Sequence, residues 1–217
     1  MELSSSVQQR TRVKVCGLTT VENALAVETC GVDAIGLVFY PPSPRWIAPE
    51  QAKIVAAALG PLTQKVGLFV NPTAEFVEQV LALVSLSTLQ FHGDEPEAFC
   101  ASFGRPYFKA LRMRDDVNLS DEMASYPSSS GFLLDAYKAG VPGGTGEVFD
   151  WARVPANATK PLLLAGGLTP LNVAEAIEQT QVYGVDLSGG VESAPGVKDI
   201  EKVRLLMAQV RKADHLN

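Results

Sequence analysis

The chain has 217 residues, 47% hydrophobic and 19% charged, with a formal net charge of −6. That is a globular composition, long enough for one large core. The acidic balance argues against a nucleic-acid partner, which asks for a basic stripe, and no apolar run approaches the ~18 residues of a membrane span. Three cysteines, Cys16, Cys30 and Cys100, form an odd set without metal-like spacing. They point to a reduced, cytoplasmic setting and to a protein without a bound metal.

Residues 1–11 are polar, rich in Ser and Gln, and read as a flexible tail. From Arg12 onward, short β-type runs alternate with helical ones. The expected strands are Arg12–Cys16, Ala34–Phe39, Lys65–Val70, Thr88–Phe91, Tyr107–Leu111, Phe132–Asp135, Pro161–Ala165 and Gly184–Leu187. Most are apolar on both faces, as in Val66-Gly67-Leu68-Phe69-Val70, which marks parallel strands covered on both sides. The expected helices are Val21–Cys30, Pro49–Leu59, Thr73–Leu86, Glu95–Phe103, Pro170–Thr180 and Lys198–Ala213. Asp115–Ser125 is a weaker helix and Phe149–Arg153 a very short one. Capping residues and first-turn prolines mark several starts: Asn71-Pro72, Asp94 with Pro96, and Thr169-Pro170. Eight such units of about 27 residues, with no linker between them, predict a single-domain α/β fold, the (β/α)8 TIM barrel over 12–217. An open doubly wound sheet would more often carry Gly-x-Gly-x-x-Gly after its first strand, and none occurs.

In that barrel the residues just past each strand converge on one face. The tips read Cys16-Gly17, Phe39-Tyr40, Asn71, His92-Gly93-Asp94, Arg112, Asp135, Gly166-Gly167 and Asp186-Leu187-Ser188-Gly189-Gly190. Polar and glycine-rich tips on apolar strands indicate a site. The glycine pairs of strands 7 and 8 let backbone amides approach an anion, at the usual phosphate position of such barrels. The loops Gly166-Gly167 and Ser188-Gly189-Gly190 are therefore candidate phosphate sites. Tight β-to-α turns are the plainer explanation for the same glycines.

Cys16 and Asp135 are the candidate proton carriers. Their reference pKa values of about 8.5 and 3.9 require a partly ionised thiol and a carboxyl held protonated. Asp186 or a bound anion would supply the negative charge that keeps Asp135 protonated. A packing role is the competing reading for Cys16, and a turn or cap role for Asp135. Arg45, on a loop stiffened by three prolines, offers a bidentate fork for an anionic group. His92 is either a general base or a hydrogen-bonding structural residue; with Asp186 it is counted among the substrate-binding side chains. Cys30 and Cys100 read as packing. The glycine-rich stretch Ala136–Gly146 after Asp135 reads as a cover for the site.

Taken together, Val13-Lys14-Val15-Cys16-Gly17-Leu18-Thr19, Gly36 to Arg45, Leu89-Gln90-Phe91-His92-Gly93-Asp94, Leu134-Asp135, Gly143-Gly144-Thr145-Gly146, Leu164 to Leu168 and Gly184 to Glu192 form an ordered set. On these motifs the chain resembles the phosphoribosylanthranilate isomerase family of tryptophan biosynthesis from about Arg12 to Arg211. The resemblance implies a cofactor-free and metal-free Amadori rearrangement of a phosphorylated small molecule, by a monomer or homodimer. It implies Cys16 as general base, Asp135 as general acid, Arg45 near the anthranilate, and Gly166, Gly167, Ser188 and Gly189 at the phosphate. Ser188-Gly189-Gly190 departs from the Ser-Ser-Gly of many relatives by one hydroxyl. The related histidine-pathway isomerase carries aspartates at both catalytic tips, and Cys16 stands where its first would be. A non-catalytic phosphate-binding barrel is the reading from another class.

Overall fold

The computed structural model describes residues 10–114, 118–136 and 149–216. Eight parallel strands close on themselves: β1 (Arg12–Cys16), β2 (Ala34–Val38), β3 (Gln64–Phe69), β4 (Thr88–Phe91), β5 (Tyr107–Met113), β6 (Phe132–Ala136), β7 (Leu162–Leu164) and β8 (Gly184–Leu187). Closure is made by β1 against β8, where Arg12 aligns with Gly184 and Lys14 with Asp186. Around the barrel run α1 (Val21–Thr29), α2 (Pro49–Ala58), α3 (Ala74–Leu83), α4 (Glu97–Cys100), α5 (Leu119–Ala124), α6 (Val173–Thr180) and α7 (Ile200–Leu216). The TIM-barrel expectation holds. No described helix is long and apolar enough to cross a membrane.

The continuous apolarity of the strands has a direct cause. Alternate side chains face opposite sides, and here both sides are covered. Leu37, Phe39, Phe69, Leu89 and Phe91 pack outward with the buried residues of α1 to α3, while Val66, Phe108, Ala110, Leu133 and Ala165 form a separate strand-only cluster inside. An aromatic row links β2 to β5: Phe39 stacks on Phe69 at 5.2 Å, Phe69 lies 6.2 Å from Phe91, and Phe91 meets Tyr107 edge-on at 5.9 Å. Each fully buried ring contributes about 1.5–3 kcal/mol from area alone.

Helix boundaries moved for identifiable reasons. The helix expected over Thr73–Leu86 stops at Leu83, because Leu86 turns in to fill the space above Gly67. Glu95 stays outside α4, since its carboxylate accepts from Asn71 N, Gly93 N and Lys109. At Thr169-Pro170 the Thr169 hydroxyl accepts from Leu171 N and Asn172 accepts from Thr169 N, so α6 begins only at Val173. Lys198 belongs not to the last helix but to an unexpected hairpin, β9 (Glu192–Ala194) with β10 (Val197–Lys198). Asp199 then caps α7 by accepting from Glu201 N and Lys202 N.

Residues 1–9 of the expected tail lie outside the described residues, while its last two are held. Arg10 pairs with Asp33, and Thr11 is buried, its backbone N–H donating to Asp214 at 3.1 Å. Of the expected cover, Ala136 is the last residue of β6 and 137–146 lie outside the described residues.

Candidate active site at the strand tips

A cavity of about 500 Å³ opens at the C-terminal ends of the strands. Cys16, Arg45, His92, Asp135, Gly166, Gly167, Asp186, Ser188 and Gly189 all line it. The catalytic, substrate-binding and phosphate candidates thus converge on one space. Arg112 does not: β5 continues to Met113, and the Arg112 guanidinium turns to Asp94 at the rim. Asn71 is structural, holding Asp94 N on its side-chain oxygen. Phe39 faces away into the aromatic row.

Cys16 ends β1, with Lys14 two residues earlier on the same inward face. Lys14 donates to both Asp186 oxygens at 2.9 Å, and its ammonium charge also acts on the Cys16 thiol. Burial alone pulls the Lys14 ammonium down, but Asp186 and then Cys16 outweigh it and hold Lys14 above its usual value. Burial pushes the Cys16 thiol up; Lys14 and Lys198 pull it down without cancelling the effect. The ionised thiol that sequence considerations require is therefore not the resting form. Room for the sulfur comes from β2, where a Cβ on Gly36 would stand 2.5 Å from Cys16 Sγ.

Across the barrel, Asp135 Oδ2 lies 3.0 Å from His92 Nε2, and His92 Nδ1 lies 2.9 Å from the amide nitrogen of Gln90. Gln90 is fully buried. The two carboxylates also sense each other: Asp186 is raised first by burial, Lys14 opposes, and the charge of Asp135 adds to the rise.

The loop Tyr40–Trp46 brings Arg45 over Gly17, where a Cβ would lie 2.7 Å from Arg45 Cδ. Its fork is already engaged: Nε donates to Glu192 Oε1 at 2.9 Å and Nη2 to Oε2 at 2.8 Å. Burial pushes Glu192 up, yet bonds from Arg45 and Lys198 outweigh it and hold the carboxyl below its ordinary value. Lys198 also reaches the Ser188 hydroxyl at 3.3 Å, and that hydroxyl donates to Cys16 O at 2.9 Å. One polar network therefore joins the Arg45 loop, the hairpin and the tip of β8.

Gly166 and Gly167 have φ of 80° and 64°, which glycine adopts freely. Gly190 is held by contact, since a Cβ there would fall 1.9 Å from Leu168 O. The tips of β7 and β8 are thus packed backbone to backbone. The tight-turn reading of the glycines is met by this geometry, which leaves both tips without side chains on the cavity.

Sequence reasoning missed Lys14, Gln90, Glu192 and Lys198. Lys14 and Gln90 were accessible: each stands two positions before a chosen residue on an apolar strand, and so shares its face. The other two depend on the hairpin.

A closed eight-stranded barrel whose strand tips surround a cavity lined by glycines and ionisable side chains defines a (β/α)8-barrel enzyme. The family model for N-(5′-phosphoribosyl)anthranilate (PRA) isomerase matches residues 13–209. The N-(5′-phosphoribosyl)anthranilate isomerase of Cellvibrio japonicus is 56% identical over 206 residues, covering 94% of this chain and 96% of that one. Among solved structures, the phosphoribosyl anthranilate isomerase of Thermotoga maritima superposes with a TM-score of 0.86 at 34% identity, covering 93% and 99% of the two chains. Another, at 33% identity and TM-score 0.83 with the same coverage, is a complex with reduced 1-(o-carboxyphenylamino)-1-deoxyribulose 5-phosphate. The chain belongs to the phosphoribosylanthranilate isomerase family, enzymes of tryptophan biosynthesis.

Proposed function

We propose that residues 12–217 form a catalytic barrel that rearranges N-(5′-phosphoribosyl)anthranilate to 1-(2-carboxyphenylamino)-1-deoxyribulose 5-phosphate, with Asp135 as acid and Cys16 as base. The observation that carries this reading is the shared cavity: a thiol at the tip of β1 and a carboxyl on β6, beside two glycine tips suited to a phosphate. The reduced product analogue in the solved relative supports the same ligand.

Asp135 protonates the ribose ring oxygen. The ring opens as the anthranilate nitrogen forms a Schiff base at C1′, and Cys16 removes the C2′ proton. The resulting enol-amine tautomerises to the ketone. Cys16 works as a base and forms no covalent bond. Burial raises the Cys16 thiol, so the working base is the fraction that has already released its proton to solvent, and Lys14 and Lys198 are the cations that stabilise this thiolate. The phosphate sits on the amides of Gly166, Gly167 and Gly189, with the Ser188 hydroxyl beside them. Arg45, whose Nε and Nη2 are held by Glu192, offers Nη1 to the anthranilate carboxylate. Asp186 acts through Lys14.

Loss of phosphoribosylanthranilate fluorescence follows the reaction directly. Wild-type protein consumes the substrate, while Cys16→Ser and Asp135→Asn are slowed roughly 10²–10⁴-fold. Wild-type rates in both variants would remove the proton-transfer roles.

A further inference from the structure

The side chains behind Asp135 form a row that the chemistry above does not yet use. Gln90 and His92 lie two positions apart on and just past β4, and Gln90 is fully buried. The Gln90 amide nitrogen faces His92 Nδ1 at 2.9 Å, and His92 Nε2 faces Asp135 Oδ2 at 3.0 Å. An amide nitrogen only donates. In this arrangement Nδ1 must accept, so the single proton of a neutral imidazole lies on Nε2 and points at the carboxylate.

The opposite amide orientation would turn Gln90 Oε1 to Nδ1 and reverse the proton order. The two orientations differ in what they leave buried without a partner. As found, Oε1 has none. Reversed, the NH2 group and its two donors would occupy that place. A buried amide group with two orphaned donors is the more costly of the two, because lone unpaired N–H groups are rarer than under-satisfied carbonyl oxygens.

The remaining oxygen of Asp135 has a different neighbour. A Cβ on Gly166 would lie 2.9 Å from Asp135 Oδ1, so this oxygen faces the bare tip of β7 in the substrate cavity. We infer that Gln90 fixes His92 as the neutral Nε2–H tautomer, which reserves Oδ2 of Asp135 and leaves Oδ1 to carry the proton exchanged with substrate. The donor to Oδ2 is present before and after that proton leaves, so the carboxylate formed on ring opening is already solvated. The other charged groups around the pair are Asp186 and its partner Lys14, and Arg112, whose guanidinium reaches the His92 carbonyl. His92 and Gln90 are positioning residues here, and their catalytic part rests on the proposed acid role of Asp135.

The chain holds only two histidines, so a nitrogen-15 histidine spectrum resolves both imidazoles. His215, exposed on α7, is assigned by its loss in His215→Gln. Ligand-free wild type at neutral pH is expected to show His92 as the Nε2–H tautomer, and Gln90→Leu to show a tautomer mixture. An Nδ1–H tautomer or an imidazolium in wild type overturns the inference without any variant having to fold. In turnover, His92→Gln keeps a donor near the Nε2 position and stays within a few-fold of wild-type kcat. His92→Leu is expected to lose about 10–100-fold in kcat at little change in KM, the worth of one hydrogen bond to a charged group. Equal kcat in both His92 variants overturns the catalytic half. Full turnover by Asp135→Asn with the expected tautomer overturns the acid assignment itself, and with it the exchange at Oδ1.

Discussion

Arg45 and Glu192 stand 147 positions apart and meet side-on through two bonds of 2.9 and 2.8 Å. Glu192 also accepts from Gly196 N at 3.2 Å and from Lys198. It is therefore an anion on which a proline-stiffened loop and a hairpin 147 positions later are both fastened. Removing it leaves two cations without their counter-charge. Glu192→Ala is expected to destabilise the fold by about 3 kcal/mol or more in urea unfolding and to raise KM more than it lowers kcat. An unchanged KM would show that Arg45 is oriented by something else.

The same residue sets an acid limit. Glu192 lies below its ordinary value in the folded protein, against about 4.3 in an unfolded chain. Its contribution is therefore complete above that unfolded value and disappears as pH falls through the lower folded one. Thermal midpoints of wild type should drop more steeply below about pH 4.3 than those of Glu192→Gln. Parallel curves would contradict the assignment.

Cys16 offers a titration that can be read chemically. Its thiol is raised by burial, and Lys14 is the foremost group opposing that rise. Cys100 is pushed by burial to about 12 and should stay inert, whereas the partly exposed Cys30 is best replaced by Ser. Iodoacetamide should then modify Cys16 slowly at neutrality and faster as pH climbs. Lys14→Met should move that rise to higher pH and lower kcat/KM roughly a hundredfold or more. A rise at lower pH in Lys14→Met would reverse the role given to the ammonium.

Gly190→Ala tests the seam between the last two strand tips. Its new methyl would collide with Leu168 O, 1.9 Å away, and must push the tips apart. The variant should fold, because the seam lies at the rim, and bind inorganic phosphate at least tenfold more weakly by calorimetry, roughly the loss of one hydrogen bond to an anion. Undiminished phosphate binding would move the anion site elsewhere.

The barrel was legible because parallel strands covered on both faces leave uninterrupted apolar runs, and β1, β4 and β8 were bounded to the residue on that signal. The site was legible as a set of tips. Its inner partners were not, because Lys14 and Gln90 sit within strands whose apolar neighbours hide them. Glu192 and Lys198 were missed for another reason: their bonds depend on the reversal at Pro195-Gly196, where Gly196 has a φ of 82° and packs beside Thr19 and Pro44. Local propensity continued a helix back through Lys198, and tertiary contacts decided otherwise. The state of the Cys16 thiol was equally out of reach, since it depends on a balance between burial and two ammonium groups from opposite ends of the chain.

Gly36 contributes no atom to the reaction, yet its bareness governs what can stand opposite it. The sulfur of Cys16 occupies the volume that any side chain on the neighbouring strand would claim. Positions 16 and 36 are therefore one site for inheritance as well as for packing. A lineage exchanging the thiol for a bulkier side chain must keep position 36 empty, and one that fills position 36 gives up the thiol. Surveying substitutions at 36 alone would score it as a packing residue; only paired libraries at both positions would expose it as the gatekeeper of what position 16 can hold.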